Sequence, residues 1–371
     1  MGQRLIDICN QLGNSQILAS QNALLRSIEN ADLFPIAYAK SETANRKISY
    51  FSKIPKIRIQ VVTSFNNFDF VSSEISGKLI TLIPHTALQS PDLTDLGGIA
   101  SLQDSLIILT SNSANRIGLE RLCELVEQTP HTIYAIHDFD SHHWHDLGIR
   151  LAAIADVYLP GHPTEHLVAS RINPHVISGI YTGTTQWSRT FLLDHIPKLG
   201  DTQRSEEPFG PHSHYPSFEY RNKVVSTFTS RSKMIRLQVT SDTNSFLQQT
   251  NEERWGEWIN YKIHLIAPVA HDIPNRFFDA LITGGIPMIP NGLKSHVISA
   301  GIPKEYFVCY SPSDIIDPTD LFGKARKLFD EQGKIGCIKR SLFAFENYHV
   351  DMVIEKIVAA VSRHYLDRYF P

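Results

Sequence analysis

The chain has 371 residues, 42% hydrophobic and 20% charged, and its 35 Lys and Arg stand against 38 Asp and Glu for a formal charge of −3. That length exceeds one ordinary core and suits two domains of roughly 150 to 200 residues, while the balanced charge excludes the basic footprint of a dedicated nucleic-acid binder. No window reaches the roughly 18 to 20 apolar residues of a membrane span, the opening MGQRLIDICNQLGNSQ lacks a signal-peptide core, and the four cysteines are too scattered for a disulfide framework. A cytoplasmic location is expected, with a peripheral contact at the inner membrane left open.

In chain order, short β-branched runs at 57–62, 79–83, 106–109, 133–136 and 157–159 read as buried strands, and 175–181 as a further strand. Between them, 114–127 repeats apolar residues at helical spacing and 147–155 is Ala-rich, as a packed helix would be. The strand ending at His137 runs into HDFDSHHWHD, so titratable and aromatic groups collect just past a carboxyl end, where open α/β sheets build their sites. Asp138, Asp140, His142 and His143 are the catalytic candidates there: a carboxylate or imidazole suits an acid–base or covalent step. Trp144 offers a ring for a sugar face, and His162, Gln186 and Trp187 are further candidates for acceptor contacts.

The segment 197–220 is dense in Pro, Gly, Ser and charge and marks a boundary. Past it, strands are expected at 224–227, 234–239, 262–266, 286–289 and 306–310, and helices at 252–259, 275–282, 319–331 and 351–365. The expected architecture is α/β: two Rossmann-like domains, 1–200 and 201–350, facing a cleft, with 351–371 a helix crossing back to the first.

The stretch YKIHLIAPVAHDIPNRFFDALITGGIPMIP, 261–290, carries the most chemistry. A buried strand leads into a helix opening at Asn275, and Gly284 or Gly285 stops it. The helix start offers unpaired N–H groups to an anion, and Arg276 adds a guanidinium suited to phosphate. Asp279 shares its helical face. Lys262 and His264 alternate along the strand and so face one side, toward a leaving phosphate; Arg221 is a further phosphate candidate. Neither GxGxxG nor GxxxxGK[ST] occurs, which disfavours a dinucleotide oxidoreductase and a P-loop NTPase.

The order of basic strand, Pro, Arg, acidic residue with Ala, Gly pair and Ile-Pro resembles the donor-side signature of GT-B glycosyltransferases, especially exostosin-like and bacterial surface-polysaccharide enzymes. YFVCYSPSDI, 306–315, resembles the turn that follows in such domains. The resemblance covers 261–321. It implies a metal-independent transferase with no cofactor, a nucleotide-sugar donor on the carboxyl half, and a glycan or lipid-linked glycan acceptor on the amino half. It further implies a lipopolysaccharide O-antigen or capsule pathway, with a CMP-Kdo-type ulosonic acid as one named donor. The acidic residue of the signature, here Asp279, would meet ribose or sugar hydroxyls. Two other classes stand beside it: a metal-dependent hydrolase using the His/Asp cluster at 137–146, although HxHxDH and HExxH are absent, and a noncatalytic glycan-binding protein.

Overall fold

A computed structural model describes residues 5, 34–64, 68–139, 145–161, 169–216, 218–238, 249–269 and 272–366. The chain divides into two compact units: Met1–Ile180 with Val353–Pro371, and Tyr181–Met352.

In the first unit, β1 (Arg58–Thr63), β2 (Glu74–Ile75), β3 (Lys78–Pro84), β4 (Ser105–Thr110), β5 (Thr132–Asp138) and β6 (Val157–Pro160) form one sheet in the order β2-β3-β1-β4-β5-β6. All neighbours are parallel except the short β2 against β3. Every residue of β4 and β5 is buried, as expected of central strands covered on both faces. The crossovers carry α1 (Phe34–Phe51, preceding β1), α2 (His85–Gln89), α3 (Ser111–Ile117), α4 (Leu119–Gln128) and α5 (His145–Ile154). Thr110 caps α3 by accepting from Ser113 N at 3.1 Å, and Gly118, at φ 92°, breaks α3 from α4 in a conformation that favours glycine.

The second unit repeats the winding. The parallel set β11-β10-β9 comprises β9 (Ile263–Leu265), β10 (Ile286–Pro290) and β11 (Val308–Tyr310), and beside it β7 (Gly210–Ser213) pairs with β8 (Ile235–Gln238). Phe209 joins the two sets, donating to Ile263 O at 3.0 Å and accepting from Leu265 N at 2.7 Å. Strand order is therefore β8-β7-β9-β10-β11. In both units the chain winds outward from a central pair, β1/β4 and β7/β9, which is the topological switch point of a doubly wound sheet. Its helices are α6 (Arg189–His195), α7 (Glu219–Thr229), α8 (Asn251–Ile259), α9 (Asn275–Ile282), α10 (Lys294–Ser299), α11 (Pro312–Ile316) and α12 (Thr319–Tyr348); α13 (Val350–Val361) follows and belongs to the first unit from Val353 on. One core packs α7 and the first half of α12 on the sheet; another packs α8, α9 and the second half of α12.

Three elements differ from the sequence reading. Residues 224–227 lie in α7, not in a strand: Val224, Val225 and Phe228 are buried at helical spacing, and a short β-branched run cannot distinguish the two. Residues 175–181 form no strand; Val176 makes a single bridge to Tyr158. The first unit ends at Ile180 rather than near residue 200, because Trp187, Leu192, Ile196 and Leu199 bury themselves in the second unit's core with Trp255 and Phe277. From Val353 on, the chain belongs to the first unit.

Candidate functional site

At the carboxyl edge of the second sheet, β7 and β9 part, and the side chain of His212 takes over where the ladder stops. Its Nε2 accepts from Ala267 N at 3.1 Å, so the ring proton sits on Nδ1, which donates to Gly210 O at 2.9 Å. Burial, with the charges of Arg276 and Arg221 nearby, holds this imidazole well below its usual pKa and therefore neutral.

Two guanidinium groups close the same gap. Arg221, on α7, donates from Nε to Ala267 O at 3.0 Å and from Nη1 to Ser213 O at 2.6 Å, and lies 4.8 Å over the Tyr215 ring. Asn222 clamps the backbone of Tyr215 in both directions, fixing the loop between β7 and α7. Arg276, in the first turn of α9, donates from Nη1 to Pro211 O. Burial first, then the neighbouring Arg221, pulls the Arg276 pKa down to about 10, which leaves it charged at neutral pH. Among the described residues neither guanidinium forms an ion pair with a carboxylate. Pro274 starts α9 in extended geometry and no side chain caps it, so the first amides face the same edge uncapped.

A cavity of about 430 Å³ adjoins Arg221, between the start of α7 and the carboxyl ends of β9, β10 and β11. Phe218, Tyr220, Pro268, Asn291 and Tyr310 form much of its wall. Its floor is stiff: the Tyr310 hydroxyl donates to Ile266 O at 3.2 Å, and Ser311 and Asp314 make a reciprocal cap on α11. The Ser311 hydrogen bonds hold the Asp314 carboxyl below its ordinary pKa. The SPSD turn is thus a capping box that shapes the cavity.

The donor candidates divide by location. Arg276, Asn275 and Arg221 meet at the carboxyl edge. Lys262 precedes β9, at the opposite end, where Glu206 and Asp330 bind its ammonium. His264 is buried and stacked on Trp258 at 5.2 Å, and burial lowers its pKa to about 3. Gly284, at φ 76°, ends α9, and Gly285 clears space for the His264 ring; both lie at the amino end of β10. The two glycines therefore stop a helix and admit a ring, away from the phosphate edge. Asp279 is 2% exposed and accepts from Thr184 Oγ1 at 2.7 Å, so its contact is with the protein interior rather than an open ribose site.

Gln186 accepts from Arg254 Nη1 at 2.8 Å. Trp187 is fully buried, edge-on to Trp255, and donates to Asn251 O at 3.1 Å, so its ring is a packing group. In the first unit, Asp138 ends β5, buried, and accepts from the Tyr158 hydroxyl at 2.6 Å. Its neighbour His137 bonds Ile180 O at 3.0 Å, and burial lowers its pKa to about 4. Asp140, His142, His143, Trp144 and His162 lie outside the described residues.

Sequence reasoning missed a hydroxyl cluster at the first unit's switch point. Ser64 and Ser113 meet at 2.9 Å, Thr110 and Ser113 at 3.0 Å, and the Ser111 hydroxyl is buried with no partner among the described residues. The signal was a Thr-Ser pair closing each central strand, Thr63-Ser64 and Thr110-Ser111. His212, in a stretch read as a boundary, was missed as well.

Fold and site together define a two-unit α/β protein whose second unit presents a cationic edge beside an aromatic-walled cavity. No family model matches the chain, and no curated protein matches it. Among solved structures, Os79 from O. sativa, in complex with U2F and trichothecene, aligns over 88% of this chain and 96% of its own at 9% identity, with a TM-score of 0.31. A likeness that low lends no weight to fold or function. No helix among the described residues is long and apolar enough to cross a membrane.

Proposed function

We propose that the chain is a glycosyltransferase that takes a sugar from a nucleotide-activated donor held by the second unit. The observation that carries this reading is the pair Arg221 and Arg276: two neighbouring guanidinium groups with no carboxylate ion pair among the described residues, at a switch point where Arg221 lines an aromatic-walled cavity. A donor diphosphate needs its charge balanced as it leaves, and groups already fixed in place do so with little reorganisation. The cavity, large enough for a nucleoside and walled by Tyr220 and Tyr310, suits the base. Sugar transfer, over other uses of a nucleotide, is favoured by the resemblance of 261–321 to GT-B donor signatures. The reading assigns the leaving-group charge to Arg221 and Arg276 and requires no resident metal.

The acceptor, a glycan or lipid-linked glycan, is assigned to the first unit. Asp140, His142 and His143 rank before Asp138 as the group that takes its proton, because Tyr158 already engages the Asp138 carboxylate. The surface-polysaccharide pathway, and a Kdo-type donor within it, rest on the resemblance alone.

The test is a thermal-shift panel of UDP, GDP, CMP and ADP on the full chain and on Arg276→Ala. One nucleotide should raise the melting temperature, and the variant should bind it about 10- to 100-fold more weakly, as expected for a lost charge-assisted contact. Stabilisation by none of the four would reject a nucleotide donor and return the chain to glycan binding; equal affinity in Arg276→Ala would reject this placement of the phosphates. Turnover that disappears with a chelator and returns with added cation would overturn the metal-free assignment.

A further inference from the structure

A second cavity, about 210 Å³, lies in the first unit between α13 and the sheet face that β1, β3 and β2 present to it. It shares no lining residue with the donor cavity and does not depend on the donor assignment. Strand pairing sets its floor. Ile59 pairs with Ile80 and Ile75 with Lys78, and residues 78 and 80 are two apart, so the three isoleucines and the lysine share one face of the sheet. Opposite them, α13 lines the cavity with Ile354 and Val358 and, one residue on from each, Glu355 and Ala359. Ile59, Ile75, Ile80, Ile354 and Val358 are buried, and the single methyl of Ala359 leaves the gap between helix and sheet unfilled.

Two opposite charges line this aliphatic slot. Lys78 enters it from β3 and Glu355 from α13, both half-buried. Among the described residues neither makes a hydrogen bond or an ion pair, with the other or with any third group. The slot therefore offers one free cation and one free anion over an apolar floor.

A ligand that matches it carries both charges itself, brings an aliphatic group, and is small, since the volume lies below the roughly 300 Å³ at which sites for drug-sized molecules begin. A free α-amino acid with a branched aliphatic side chain has all three properties. We infer that this slot binds such an amino acid, its carboxylate at Lys78, its ammonium at Glu355 and its side chain on the isoleucines. Both polar contacts are then charge-assisted hydrogen bonds, and the apolar surroundings strengthen them. A ligand with only one of the two charges would leave Lys78 or Glu355 uncompensated, which is the basis of selection.

Titration calorimetry of the full chain with L-leucine and L-isoleucine tests the site. The comparators are isocaproate, which lacks the ammonium, isoamylamine, which lacks the carboxylate, and glycine, which lacks the side chain. At least one of the two amino acids should bind saturably, and every comparator should bind at least about tenfold more weakly. Lys78→Met and Glu355→Gln should each weaken the amino acid about tenfold. Because both replace side chains that hold no partner among the described residues, the melting temperature of the free chain should be unchanged in either. Ala359→Leu, which fills the gap, should abolish binding. Absence of saturable binding by both amino acids, equal binding of any comparator, or undiminished binding by either charge variant would overturn the inference.

Discussion

Asp279 offers a sharp test of the second unit's interior. Burial raises its pKa from 3.8 to about 7, although Thr184, Arg276 and Arg254 all favour the charged form. By linkage, ionising it in the folded chain then costs on the order of 4 kcal/mol relative to an exposed aspartate. Below about pH 4 both states hold the proton and nothing is lost. As pH rises from 4 toward 7, the unfolded chain releases a proton that the folded chain keeps, so stability falls; above 7 the loss is constant. Asp279→Asn keeps an acceptor for Thr184 and has no proton to lose. The buried imidazoles of His212, His264 and His349 act oppositely, since their lowered pKa values make stability rise with pH up to about 6.5. Their effect is common to both proteins and cancels in the difference. Urea unfolding followed by tryptophan fluorescence suits the question, because Trp187, Trp255 and Trp258 all lie in the second unit. Between pH 4.5 and 8 the variant should gain several kcal/mol on the wild type. Parallel curves would refute the raised carboxyl.

Two further outcomes follow from packing. In Gly285→Ala the new Cβ would stand 2.4 Å from the His264 ring, and the resulting overpacking should cost about 1 to 3 kcal/mol by chemical denaturation, part of it recovered when His264→Ala is added; an unchanged midpoint in the single variant would count against this contact. Lys47, on α1, pairs with the buried Asp156 at 2.7 Å and also donates to Thr132 O; Lys47→Ala strands the carboxylate and should lower stability by about 3 to 5 kcal/mol, and a loss under 1 kcal/mol would show that the pair does not fasten α1 to the sheet.

Much of the fold was legible because central parallel strands are apolar along their whole length, as 106–109, 133–136 and 286–289 are, and these runs alternate with longer segments of helical spacing. The Asn275 start of α9 was legible for a similar reason: Pro274 before it and Gly284 after it punctuate the chain. Residues 224–227 were not, since four β-branched and polar residues fit a strand or one turn of helix equally. The site was legible where it depends on an element's end, as at Arg276, and illegible where it depends on tertiary packing. Lys262 and His264 do alternate along one strand, but alternation gives a face, not an end, and both sit away from the carboxyl edge. Arg221 reached the site from a helix that sequence periodicity had not revealed. The resemblance placed Asp279 on a ligand, whereas the side chain is spent on Thr184.

The two sheets share one winding order and differ at the place where that order reverses. In the first unit the reversal ends in neutral hydroxyls: Ser64 and Thr110 both bond Ser113, and Ser111 is buried beside them. In the second, short strands part early and leave Pro211 O, Ser213 O and Ala267 O without ladder partners, and Arg276 and Arg221 satisfy them. The guanidinium groups are therefore present for a backbone reason before any ligand arrives, and a buried carbonyl cannot neutralise them as a carboxylate would. Under the proposed reading, an edge closed by guanidinium groups on backbone carbonyls, rather than by direct ion pairs with carboxylates, can also serve an anion. It follows that Arg276→Ala disturbs both the edge and the ligand, so the informative quantity is the nucleotide-induced shift in each protein rather than the melting temperature of the free chain. A variant that loses stability but keeps the full nucleotide shift would show that Arg276 serves the backbone alone.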